Sequence, residues 1–306
     1  MDSANNVPNT NARLTEFIIW FLFIAAVFSV GARLGTKYAL AHRLGVDDKL
    51  IIGSLIIYLA QCIAITVATS ADISTSTNDS NEVSSGFMKA QYASVPLLIL
   101  ALALVKWSNS AFIRQLSPKH IYRRVSLALA TVVGFWLVSA IVTGLLQCSL
   151  PRPWDFTDNS HCINRQAWWA FTVVLNVITD IGLVILYFFI IVELQLSLAR
   201  KAGIIVAFST RLLVVGITLV QLATSLDEGD RVEVSSSLRV PLVLNQAVIS
   251  SSVIIACVPY LKPFMQALQI GINRVDNTSA FEDELVHFPA PTTSSDSNWG
   301  SRVNYQ

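Results

Sequence analysis

Few residues of this chain could do chemistry, and most of them are embedded in apolar sequence. Asp180 stands near the middle of an apolar run, in Asn176-Val177-Ile178-Thr179-Asp180. An ionised carboxylate at a bilayer centre costs at least about 2.5–3.5 kcal/mol on insertion scales. Asp180 must therefore face a bundle interior, a cavity or a cation. Arg211 and Lys106 are the available cations, and Asn109 and Asn176 can add neutral hydrogen bonds. These five residues form a candidate intramembrane polar cluster. It reads either as a structural network or as a ligand- or proton-binding cavity or switch. A second candidate is Asp47-Asp48, a pairing that suggests metal–diphosphate chemistry. No third acid follows at helical spacing, because the next residues are Lys49, Leu50 and Ile51. Both acids also stand where a helix should begin, where carboxylates cap free N–H groups and meet the positive end of the dipole. Arg33 and Lys37, one turn apart, can reach them across the inner surface, giving an inner-face charge cluster.

Cys148 and Cys162 are separated by thirteen residues in a polar, Pro-punctuated segment between two apolar runs. Closing a loop of that size stabilises by about 3 kcal/mol in the chain-entropy model. A metal role beside His161 would need more ligands than the segment offers, so a disulfide staple is expected. The four histidines are scattered, and no Gly-rich phosphate loop or Ser/His/Asp set appears. No catalytic residue, cofactor or metal is expected.

The elements that must position these residues follow from composition. Of 306 residues 53% are hydrophobic and 13% charged, with a mean hydropathy of +0.57. Soluble domains carry about a quarter charged residues, so this chain cannot cover a water-facing surface of its size. A net charge of +1 argues against nucleic acid, whose binding footprint is a basic patch or stripe. Apolar runs of spanning length, about 20 residues each, occur at 17–40, 50–71, 90–113, 125–147, 168–192, 203–225 and 238–261. The expected fold is therefore all-α: a polytopic seven-transmembrane helix bundle whose first helix is an uncleaved anchor. With the N-terminus outside and the C-terminus inside, twelve Lys and Arg fall on the inner side against six on the outer, as the positive-inside rule requires. That orientation puts Cys148 and Cys162 on the oxidising side. It also exposes Asn78, in the sequon Asn78-Asp79-Ser80, to glycosylation in an outer loop over 72–89. Trp154, Trp168 and Trp169 would anchor the outer interface, and Trp107 the inner one. The chain divides into a short exoplasmic N-terminus (1–13), the membrane domain (14–262) and a largely disordered cytoplasmic tail (263–306).

The order Arg33…Thr36-Lys37…Gly45-Val46-Asp47-Asp48, Lys106-Trp107-Ser108, Gln147-Cys148…Trp154…Cys162, Asn176-Val177-Ile178-Thr179-Asp180 and Arg211-Leu212-Leu213 resembles the fungal rhodopsin-like family of seven-helix membrane proteins. The resemblance covers roughly residues 15–265. It implies either a receptor-like surface sensor or a membrane protein encoded beside a secondary-metabolite pathway. The run after Asp180 lacks the proline that often follows the family's Asp. A retinal chromophore is not expected, because the only lysine of the seventh run, Lys262, lies at its inner boundary.

Three functions remain in view. The leading one is a receptor-like or scaffolding membrane protein. The second is a small intramembrane enzyme, such as a cyclase of a lipophilic precursor, with Asp180 as its only deep acid. The third, a transporter, lacks the inverted repeats and paired broken helices that such folds show. Expected partners are the lipid bilayer, an unknown small-molecule or surface ligand, and a cytoplasmic signalling partner at the inner loops and tail, but not nucleic acid. The plasma membrane is the expected location, with an endomembrane as the alternative.

Overall fold

In a computed structural model, the described residues are 7–41, 45–76, 85–116, 119–148, 163–193 and 242–258, with Val215, Gly216, Thr218, Leu219 and Ala223. They fold as helices: α1 (Val7–Ala41), α2 (Val46–Ser76), α3 (Ser85–Leu116), α4 (His120–Leu145), α5 (Arg165–Glu193) and the shorter apolar α6 (Leu242–Val258). Five of them are long and apolar enough to cross a membrane, with spans over Arg13–Ala39, Val46–Ser70, Met88–Gln115, His120–Leu145 and Gln166–Ile190. Each span exceeds the roughly 20 residues needed at 1.5 Å rise to traverse about 30 Å of hydrocarbon. The helix is the expected answer for such sequence, because it satisfies every backbone polar group within the segment. The sixth expected run, 203–225, lies almost wholly outside the described residues, and α6 corresponds to the seventh. The chain divides into two compact units, Met1–Lys262 and Pro263–Gln306. The second lies outside the described residues.

Several helices begin earlier than the apolar runs do. α1 starts at Val7 and not at 17, and α4 at His120 and not at 125. The segment 72–89, expected as a loop, is helical through Ser76 and again from Ser85. Extending an existing helix by a residue is far easier than nucleating one, so the backbone ladder continues past the apolar sequence.

Large apolar side chains face outward, Phe17 at 71%, Phe28 at 74% and Phe135 at 79% exposure, as a bilayer-embedded bundle requires. The inward faces carry small residues, including Ala101, Ala103, Ala140 and Ser54, which let helix backbones approach closely. α3 packs against α2, α4 and α5, while α1 packs on α2. Side-chain-to-backbone hydrogen bonds tie helices together: Ser54 of α2 to the Ala101 carbonyl of α3 at 3.0 Å, Ser126 of α4 to that of Ser110 of α3 at 2.9 Å and Ser250 of α6 to that of Leu22 of α1 at 2.9 Å.

Two tryptophans expected as interface anchors also bond between helices. Trp107 donates its indole N–H to the Ala130 carbonyl at 3.0 Å. Trp168 is buried and donates to Thr143 Oγ1 at 2.7 Å. Its ring fills the space left at Gly144, where a Cβ would come within 2.8 Å of Trp168 Cζ2. An indole between facing helices finds both apolar contact and an acceptor for its N–H.

Candidate functional site

Among the described residues, two clusters of charge are folded into the apolar bundle. The deeper one is built from α3, α4 and α5. Lys106, 1% exposed, projects from α3 toward one face of α5. Its ammonium donates to Asp180 Oδ1 at 2.6 Å, to Thr179 Oγ1 at 2.7 Å and to the Asn176 carbonyl at 2.8 Å. Three donors thus meet three acceptors on one turn of α5, which suits a group with three protons and no acceptor of its own. The indole of Trp136 on α4 covers the ammonium, with the ring centroid 5.6 Å from Nζ. It is fixed there by its own N–H bond to the Thr172 carbonyl at 3.0 Å. A desolvated cation–π contact of this kind contributes about 2 kcal/mol.

Not every residue expected in this cluster joins the ion pair. Asn176 takes part through its backbone carbonyl, while its buried side-chain Oδ1 has no hydrogen-bond partner among the described residues. Asn109 is buried, and its carbonyl accepts from Tyr187 OH at a long 3.5 Å. Arg211 lies outside the described residues, and so do Asn78 and Cys162.

The second cluster joins four helices. Arg33 of α1 is fully buried, as are Asp47 and Asp48 in the first turn of α2. Arg33 Nη2 lies 2.7 Å from Asp47 Oδ2 and Nε 3.3 Å from Asp48 Oδ1, while Nη1 donates to the Ala256 carbonyl of α6 at 3.0 Å. Lys37 bridges both acids, at 2.6 Å to Asp47 Oδ2 and 2.7 Å to Asp48 Oδ2. From α3, Gln115 donates to Asp47 Oδ1 at 3.0 Å, and Ser108 donates to the Asp47 carbonyl at 2.7 Å. The expected capping role accounts for one of these contacts, the Gly45 N–H donating to Asp48 Oδ2 at 2.9 Å. A Cβ at residue 45 would overlap Asp47 Oδ1, so any larger residue here would displace that carboxylate. The sequence suggested pairing across a surface. The four charges instead sit inside, with only Lys37 partly exposed at 18%.

A third polar group had no counterpart in the sequence analysis. Gln246 of α6 donates to Gln61 Oε1 of α2 at 3.0 Å, with Cys62 and Tyr58 buried in the same stretch of α2. Glutamines inside apolar runs were the available signal, since buried amides in a membrane must find partners. Among the described residues no three His, Cys, Asp or Glu side chains converge in a way that would hold a metal ion.

Helices long enough to span, apolar faces turned outward and ionic groups turned inward define a multi-pass membrane protein with a helical-bundle fold. The chain belongs to the fungal rhodopsin domain family, whose model matches residues 32–267. That match begins one residue before Arg33 and takes in both ion clusters. No curated protein matches the chain.

Proposed function

We propose that this protein is a receptor-like membrane protein without a retinal chromophore. In this reading the Lys106–Asp180 pair is the internal tie between α3 and α5 that a ligand on the exoplasmic side would loosen or tighten. The observation that carries the reading is the 2.6 Å contact between two buried charges. A carboxylate clamped in an ion pair is not poised as a general acid. The enzyme alternative thereby loses its deep acid, and the closed pair is one arrangement of the two that a switch would need.

The test is Asp180→Asn in the source organism, compared at matched protein level and scored for its responses to surface cues and for its metabolite profile. The receptor reading expects altered responses and unchanged metabolites. Loss of a lipophilic product with accumulation of its precursor would establish the enzyme instead. Wild-type behaviour in both assays would remove Asp180 from function altogether.

The proposed orientation keeps the N-terminus outside and the C-terminus inside, in a plasma membrane, with a Cys148–Cys162 staple and a glycan on Asn78. The Ile163 N–H donates to the Gln147 carbonyl at 2.8 Å, which brings the two ends of the cysteine-bearing segment together and favours the staple. Orientation and glycan are checked together: glycosidase treatment should raise the mobility of the wild-type protein and leave Asn78→Gln unchanged. No shift in either protein would count against an exoplasmic Asn78.

A further inference from the structure

At the end of the bundle that holds the Arg33 cluster, charge is distributed in an unusual way. Two acids there, Asp47 and Asp48, are buried and matched by Arg33 and Lys37, and a third, Glu193, ends α5. What remains exposed among the described residues is basic: Lys49 on α2, Arg114 in the last turn of α3, then Lys119, Arg123 and Arg124 at the start of α4. These positions share one end of the molecule. The first turn of α2 is bonded to the last turn of α3 through Asp47 and Gln115, and only residues 117–119 separate α3 from α4. The first turn of α4 carries no acidic residue of its own. Cations therefore stand at the positive end of that helix dipole, an arrangement that favours an external anion.

The apolar neighbours of these cations indicate what kind of anion. Ile121 is 64% exposed and Val46 62% exposed, each within three residues of an exposed Lys or Arg. Exposed aliphatic side chains beside cations fit the boundary between acyl chains and headgroups, where long basic side chains extend toward phosphate. A soluble acidic partner would leave no such use for them. We propose that this end of the bundle is a docking surface for the headgroups of anionic phospholipids, held by Lys49, Arg114, Arg123 and Arg124. The proposed orientation decides only which leaflet is engaged. The docking itself rests on charge and exposure.

The test uses the full chain reconstituted in nanodiscs of phosphatidylcholine alone, or with phosphatidylserine or a phosphoinositide added. Lipid retained on the protein is read by native mass spectrometry after release into detergent. The wild type should retain anionic lipid in preference to phosphatidylcholine, and the preference should fall steeply as salt rises, because surface attraction is screened within a Debye length. Each removed charge should weaken retention about fivefold, and the exposed triple variant Arg114→Gln, Arg123→Gln, Arg124→Gln about a hundredfold. Arg13→Gln, at the other end of the bundle, should have no effect. Equal retention of all lipids, salt-insensitive retention, or equal loss in the Arg13→Gln control would overturn the proposal. So would a soluble inositol phosphate competing as well as the intact lipid, which would point to a soluble ligand. The salt series on the wild type decides the matter even if the triple variant does not fold. Because the readout is indifferent to which way the protein faces, its failure is separable from failure of the orientation, which the Asn78 glycan reports.

Discussion

Replacing Arg33 by methionine should prevent the protein from forming a stable bundle. The substitution leaves Asp47 and Asp48 adjacent, fully buried, and without the guanidinium that pairs with both. Breaking a buried ion pair by removing one partner typically destabilises by 3–5 kcal/mol. Here the single removal also strips the Ala256 carbonyl of its donor. Thermal unfolding in detergent should show a large drop in midpoint, or a collapse in the yield of monodisperse protein. Arg33→Lys should fail nearly as badly, since an ammonium cannot reproduce bonds made separately by Nε, Nη1 and Nη2. An unchanged midpoint for Arg33→Met would mean that the cluster is not what holds α1, α2, α3 and α6 together.

The second large effect is asymmetric. Lys106→Met should cost about 3–5 kcal/mol, because it strands the Asp180 carboxylate in an apolar interior. Asp180→Asn should cost less, because the ammonium keeps Thr179 Oγ1, the Asn176 carbonyl and the Trp136 ring. The double variant Lys106→Met with Asp180→Asn should be more stable than Lys106→Met alone, having no unmatched charge left to bury. The four midpoints form a double-mutant cycle, and the coupling between the two sites should be well above the few tenths of a kcal/mol seen for independent positions. Simple additivity would show that the two side chains do not act as a pair.

How much of this was readable in advance depended on how each residue disturbs an apolar pattern. Asp180 and Lys106 stand out because a lone charge in such a run must be met by another. Composition cannot say whether Lys106 or Arg211 meets it, since that depends on the rotation of each helix about its axis. Arg33, Lys37, Asp47 and Asp48 were legible as neighbours, being close in sequence at the ends of adjoining runs. Their burial was not, because it is completed by Ser108, Gln115 and the Ala256 carbonyl, which come from far along the chain. The Gln61–Gln246 bond was missed because neutral amides barely interrupt hydropathy. The helical ends beyond the apolar runs were missed for a related reason: hydropathy marks the hydrocarbon boundary and not where the backbone stops coiling.

The two ion clusters also differ in when each can close. Arg33 and Asp47 are 14 residues apart, so both are made within roughly 1–3 s of each other at ordinary translation speeds. They can meet as soon as the first two helices turn back on one another. Lys106 and Asp180 are 74 residues apart, a delay of roughly 4–15 s at the same speeds. For that interval the nascent chain holds an ammonium destined for the bilayer interior before its carboxylate exists. The order of synthesis therefore makes α5 the helix that completes the insertion of α3, and ties the biogenesis of this bundle to one late residue.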